Sequence, residues 1–350
     1  MAYSSIAKPS DYFNTVLYTG NGSTNAITGV GFQPDWTWTK RRDSTGNHSL
    51  YDAVRGVTKR IESDTTDVEQ TVATSLTAFN TDGFTLGSGG DSNGNSETYA
   101  SWNWLGANGT TSNSDGSITS TVSANQTAGF SIVKYTGTGS AGTVGHGLGV
   151  APKTIIVKCL DAAKAWTVYH SALGSSAAIF LEQTSAATTS NTTYFGGTDP
   201  TASVFSIGTS TNVTNSGDEF IAYCFAEKTG YSKFGSYTGN GNADGTFVYT
   251  GFKPAWVLVK RSDASESWFL YDNKRNAYTG NERYYVLRPN TNLAENTTYS
   301  DNWQMDFLSN GFKLRTTAGH LNSGNLIYMA FAENPFVGND SGTAVPGTAR

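Results

Sequence analysis

Along this chain apolar residues fall in runs of four to eight, each bounded by Gly, Asn, Asp or Pro, as at 256–260, 268–271 and 326–331. Strands have that length, whereas helices need about ten residues or more. At 99–104 the order Tyr-Ala-Ser-Trp-Asn-Trp alternates with period two, so Ala100, Trp102 and Trp104 share one face of a sheet. Asn21-Gly22, Asn240-Gly241, Asp82-Gly83 and Asn310-Gly311 supply the positive φ that tight hairpin turns demand. Only 58–76 invites a helical reading, and its threonines weaken it. The pattern predicts an all-β chain of short antiparallel strands.

The runs recur in order three times, and a repeat decides the fold before any motif does. Each copy opens on Tyr-Thr-Gly-x-Gly, at 18–22, 135–139 and 237–241. Pro34, Pro152 and Pro254 then begin strands that reach Lys40, Lys158 and Lys260 six residues later. Tyr51, Tyr169 and Tyr271 follow those prolines by seventeen residues. Leu50, Tyr51, Asp52 and Arg55 of copy one match Leu270, Tyr271, Asp272 and Arg275 of copy three, while copy two has His170 in place of the aspartate. Asp82, Gly83, Phe84 and Leu86 answer Asn310, Gly311, Phe312 and Leu314, with Phe205 and Ile207 as a weaker counterpart. Aromatic strands at 99–104, 220–225 and 326–331 close the copies. The expected architecture is three tandem antiparallel β-sandwich domains, jelly-roll-like, at 11–106, 127–228 and 229–335. An N-terminal arm at 1–10, a linker at 107–126 rich in Gly, Ser and Thr, and a tail at 336–350 complete it. Copies two and three abut through Lys228 and should pack as a pair.

Composition narrows the function. A chain of 350 residues has room for two or three cores. Net charge is −5, from 23 basic and 28 acidic residues spread along the chain, so no field gathers a phosphate backbone and no nucleic-acid partner is expected. Lys40, Arg41 and Arg42 read as a solvated strand terminus. No run approaches the roughly 18 apolar residues that cross a bilayer, and 1–11 lacks an apolar h-region, so neither membrane insertion nor a secretory signal is expected. Cys159 and Cys224 read as buried thiols rather than a disulfide framework or a metal set.

No catalytic residue, metal or cofactor is expected. His48, His146, His170 and His320 neither recur in every copy nor stand at ligand spacing, and read as surface or hydrogen-bonded loop residues. The Gly-rich turn at 145–149 lacks the lysine of a phosphate loop. Asp91, Asn93, Asn95 and Glu97 alternate as in a calcium loop, but the glycine is misplaced and the closing bidentate Glu is missing. Glu227 and Glu333 are equivalent, yet neither has the second carboxylate that glycoside hydrolysis requires, so backbone capping or pairing with Arg is expected. Trp36, Trp102, Trp104, Trp166, Trp256 and Trp268 stand at repeated places and read as core. The unrepeated loop aromatics Tyr194, Tyr278, Tyr299 and Trp303 are the candidate binding residues.

The opening residues Ala2, Tyr3, Pro9 and Tyr12, the elements at 18–22, 82–86 and 115–119, and the stretch from 129–135 to 145–149 resemble structural proteins of marine tailed bacteriophages. In those proteins a repeated domain of uncharacterised function, similar to the SPRY and concanavalin-like sandwiches, occurs in tandem. The resemblance covers nearly the whole chain. It implies a non-enzymatic virion component made in the host bacterial cytoplasm and exposed on the particle as a capsid decoration or a tail component that contacts the host. Its partners would be other capsid or tail proteins, and virion symmetry favours a homo-oligomer. The alternative is a carbohydrate-binding module of a tail fibre or tailspike that recognises a host surface glycan. With only 1–11 ahead of copy one, a compact attachment is expected rather than a classical fibre.

Overall fold

A computed structural model describes residues 4–275, 280–298 and 302–336, and in it the chain is all-β with antiparallel sheets. Each copy builds a large sheet in which four neighbouring strands keep one spatial order. In copy one the order is Phe13–Thr19, Thr98–Trp104, Trp36–Arg41, Ser49–Asp52; in copy two it is Phe130–Thr136, Glu219–Phe225, Thr154–Cys159, Thr167–His170. Copy three repeats it with Ser232–Asn240, Ser323–Pro335, Phe252–Arg261 and Trp268–Asp272. A small sheet accompanies each, led by Asn25–Thr28 with Gly83–Leu86, by Gly142–Gly145 with Val204–Ile207, and by Phe247–Tyr249 with Gly311–Leu314.

Apolar clusters fill the space between the two sheets of a copy. Ile27, Phe84 and Leu86 meet Tyr51 in copy one; Val144, Phe205 and Ile207 meet Val157 and Phe220 in copy two. Val248, Phe312 and Leu314 meet Val257 and Leu326 in copy three. Both cysteines are buried in copy two's cluster.

The opposite face of every large sheet is covered as well. Trp36, Trp38, Trp102 and Trp104 of copy one, Ile156, Trp166, Tyr223 and Phe225 of copy two, and Trp256, Leu258, Trp268 and Phe331 of copy three form one central cluster. Aromatic contacts join the copies directly: Trp36 stacks on Tyr223 with centroids 4.3 Å apart, Trp104 meets Trp256 edge-on at 5.8 Å, and Phe225 meets Phe331 at 5.9 Å. The tryptophans are core, as their repetition implies, but the core they fill lies between copies. Burial on both faces also explains why all six residues of Thr154–Cys159 are buried.

Several local expectations change. The stretch 107–126 carries the strands Thr111–Asn113 and Ser120–Asn125, which pair with each other and lengthen copy two's large sheet beyond Phe130–Thr136. Its low apolar content reflects a place at the sheet edge. The stretch 58–76 forms the strands Lys59–Glu62 and Gln70–Thr71, not a helix. Helices among the described residues are single turns, and Gly90–Asn93, Thr211–Thr214 and Gly319–Asn322 precede the closing strand of each copy. The repeated tyrosine anchors this turn by donating its hydroxyl to a backbone carbonyl: Tyr18 to Ser92 at 2.8 Å, Tyr135 to Val213 and Tyr237 to Leu321 at 2.7 Å. None of these helices is long and apolar enough to cross a membrane.

Candidate functional site

The polar residues that recur in the sequence converge on the seams between copies. At each seam a loop of one copy lies against the strand end of the next, and one backbone bond occurs three times at 2.9 Å: Glu69 N–H to Leu160, Ala187 N–H to Ser262 and Glu295 N–H to Arg42. Leu160, Ser262 and Arg42 each stand two residues past the repeated lysine. The contacts run from copy one to two, two to three and three back to one, so the three copies close into a ring. A second bond repeats with the same sense. Trp166 Nε1–H donates to the Glu62 carbonyl and Trp268 Nε1–H to the Phe180 carbonyl, both at 2.9 Å, while His48 Nε2 takes the third place against the Arg288 carbonyl at 3.1 Å.

Where the seams differ, the residues change as a set. Asp52 accepts the Tyr223 hydroxyl of copy two, and Asp272 accepts Trp102 Nε1–H of copy one, both at 2.8 Å. Tyr223 and Trp102 hold one place in their closing strands, and in copy three that place is Met329, which has no donor. Copy two answers with His170, whose Nε2 reaches the Tyr328 carbonyl at 3.1 Å. Arg55 pairs with Asp52 at 2.5 Å and Glu69 at 3.2 Å, and Arg275 with Asp272 and Glu295 at 2.6 Å each. In copy two, Leu173 and Ala187 stand in the places of that arginine and glutamate and pack on the central cluster. The loss of the Leu-Tyr-Asp-x-x-Arg element in copy two is therefore the exchange of an ionic seam for an apolar one.

Burial sets the electrostatics. Lys40 is fully buried in a seam rather than solvated, a correction to the strand-terminus reading; its Nζ donates to the Arg41 carbonyl at 2.6 Å. Lys158 and Lys260 reach back across their seams to the Thr66 and Thr184 carbonyls at 3.0 and 3.1 Å. Desolvation pulls all three ammonium groups down to about 8. Burial alone would raise the Asp272 carboxyl, but Arg275 and the Trp102 indole hold it below the usual range. Arg42 is paired with Glu295, and Arg41 with Asp43 and Glu97.

The histidines are committed to structure. His48, His146 and His170 are buried, so the surface reading fails for them, because each imidazole is needed as a two-ended hydrogen-bond bridge. His48 Nδ1 accepts Trp38 Nε1–H at 2.9 Å, His146 Nδ1 the Leu148 amide and His170 Nδ1 the Ala172 amide, both at 3.2 Å. Their Nε2 atoms therefore carry the proton and donate to carbonyls. Burial lowers His48 well below its ordinary value and His170 to about 4, so both stay neutral. Burial likewise raises both thiols.

The other carboxylates singled out in the sequence are occupied in pairs. Glu227 pairs with Lys233 at 2.8 Å and Glu333 with Lys253 at 3.1 Å, lysine taking the place expected of arginine. Asp91 pairs with Arg60, Glu97 with Arg41, and Asn93 Nδ2 donates to the Ser23 and Gly87 carbonyls, which locks the calcium-like loop internally. Among the described residues no cluster of His, Cys, Asp and Glu is arranged to hold a metal.

Of the four loop aromatics, Tyr194 lies half-buried edge-on to Phe180, at 5.5 Å between centroids. Trp303 is half-buried too, 5.6 Å from Phe269 and 4.7 Å from His320. Tyr278 and Tyr299 lie outside the described residues. The two described positions, Tyr194 in copy two and Trp303 in copy three, do not share a site. It adds Arg288, a residue with no repeated counterpart in type, whose guanidinium lies 4.9 Å over Trp303.

A family model spans residues 8–335, all three copies together. The chain belongs to the family described as Domain of unknown function (DUF7483). The span of the model takes in all three copies of the closed ring. No curated protein and no solved structure matches the chain.

Proposed function

We propose that the chain is a non-enzymatic structural protein of a tailed-bacteriophage virion, exposed on the particle as a capsid decoration or a tail component that contacts the host. Ring closure is the observation that carries this reading. The lysines that recur in all three copies, and the indoles and Asp–Arg pairs that recur in two, are consumed in the seams, which suits a rigid building block. His48, His146 and His170, each with both ring nitrogens hydrogen-bonded, supply no free acid or base. The resemblance to tandem-repeat virion proteins supplies the location, and homo-oligomers of the ring docked on other capsid or tail proteins are its partners in this reading. Mass spectrometry of purified particles tests it: the protein is expected among the virion components, and its absence from particles that contain the remaining structural proteins would overturn the assignment.

A further inference from the structure

Arg288 is unlike the other arginines of the ring's interior. Arg55 and Arg275 are each held by two carboxylates, and Arg42 by Glu295. Arg288 pairs with no carboxylate among the described residues; its guanidinium rests on aromatic faces, 4.9 Å from the Trp303 centroid and 5.7 Å from that of Phe269. A half-buried cation without an anion is costly, and desolvation accordingly shifts Arg288 downward. Beside it opens a cleft of about 330 Å³ between copy three and the loop of copy one, lined by Thr45, Val286, Arg288, Thr291, Leu293 and Asn296.

We propose that this cleft binds an acidic monosaccharide unit, a sugar ring bearing one carboxylate. Its volume falls in the range of small-ligand sites. One guanidinium matches one carboxylate, preferably through a bidentate pair. Thr45, Thr291 and Asn296 supply the hydroxyl and amide groups that exchange hydrogen bonds with sugar hydroxyls, and Val286 and Leu293 supply the apolar wall for its C–H face. The cleft's chemistry is unrepeated for a reason visible in the sequence: Arg288 stands where copies one and two have Glu62 and Phe180, and Leu293 where they have Asp67 and Ser185. Ligand binding goes beyond the structural role proposed above, which needs none; failure of one leaves the other standing, because particle content tests the first and a titration the second.

The full chain titrated with glucuronate, glucose and acetate, followed by saturation-transfer and chemical-shift NMR, decides the matter. Glucuronate is expected to bind at least about tenfold more tightly than glucose or acetate. Arg288→Gln is expected to remove that preference. Because Arg288 also packs on Trp303, Leu293→Glu serves as the second variant: it puts a carboxylate on an exposed rim position, and with an unchanged melting temperature it should weaken glucuronate at least about tenfold. Glucuronate bound no better than glucose, acetate bound as well as glucuronate, or a folded Leu293→Glu variant that binds like the parent would each overturn the proposal.

Discussion

At the two seams that copy one forms, a buried Asp–Arg pair is joined by a glutamate, whereas the seam between copies two and three fills the same places with His170, Leu173 and Ala187. The backbone bond is nonetheless the same at all three seams, and the indole bond spans the apolar seam and one ionic seam alike. Charge is therefore not what closes the ring. A sealed ion pair contributes little net stability compared with a packed apolar set, but it becomes a liability once one partner is removed. The apolar seam is also the one whose two copies are joined by the single residue Lys228, so the chain itself holds that pair in register.

The largest expected effect comes from splitting an ionic set. Arg275→Leu leaves Asp272 buried without its cation and Glu295 with Arg42 alone, and should lower stability by about 3–5 kcal/mol in urea unfolding. Leu173→Arg, which brings the cation to the apolar seam without its carboxylates, should cost a similar amount. Converting the whole set to that of the apolar seam, with Arg42→Ser, Trp102→Met, Asp272→His, Arg275→Leu and Glu295→Ala, should return to within about 2 kcal/mol of the parent. A fivefold variant less stable than Arg275→Leu alone would break the equivalence of the seams.

Acid sharpens the comparison next. Burial brings His170 from its ordinary 6.5 to about 4, so in that window the unfolded chain binds a proton that the folded chain refuses. Stability then falls as pH falls from about 6.5 towards 4, by up to about 1.4 kcal/mol per unit for this group. His170→Gln keeps a donor for the Tyr328 carbonyl and should flatten the slope of unfolding free energy against pH by one bound proton; an unchanged slope would show that this imidazole is already solvated.

Smaller effects follow. Trp166→Phe and Trp268→Phe each remove one indole bond across a seam and should cost about 1–2 kcal/mol, alike in the ionic and the apolar seam. A loss at one seam only would mean that the seams are held differently. Glu227→Ala, which breaks a largely solvated pair with Lys233, should change stability by less than about 0.5 kcal/mol.

Much of the fold was legible in the residue pattern. The invariant six- and seventeen-residue spacings give the three copies, and the tight Asn-Gly and Asp-Gly turns give the antiparallel strands. The ring was not, because a contact between copies leaves no period within one of them. Two signals pointed to it. A run such as Thr154–Cys159, with apolar residues on both faces, is a strand covered on both sides, and the joint change from Asp52, Arg55 and Glu69 to His170, Leu173 and Ala187 is what a shared contact produces. Lys40 misled because a lysine followed by two arginines looks solvated unless the seam above it is known. The cleft beside Arg288 was invisible for the opposite reason: its places recur but its residue types do not, Arg288 standing where copies one and two have Glu62 and Phe180, so repetition says nothing about it.

Differential scanning calorimetry of the full chain tests the closed ring most directly. A shared central core makes the three copies one cooperative unit, so a single transition is expected, with calorimetric and van't Hoff enthalpies equal. Separate transitions, or a calorimetric enthalpy about three times the van't Hoff value, would mean three units that unfold on their own and would contradict the ring.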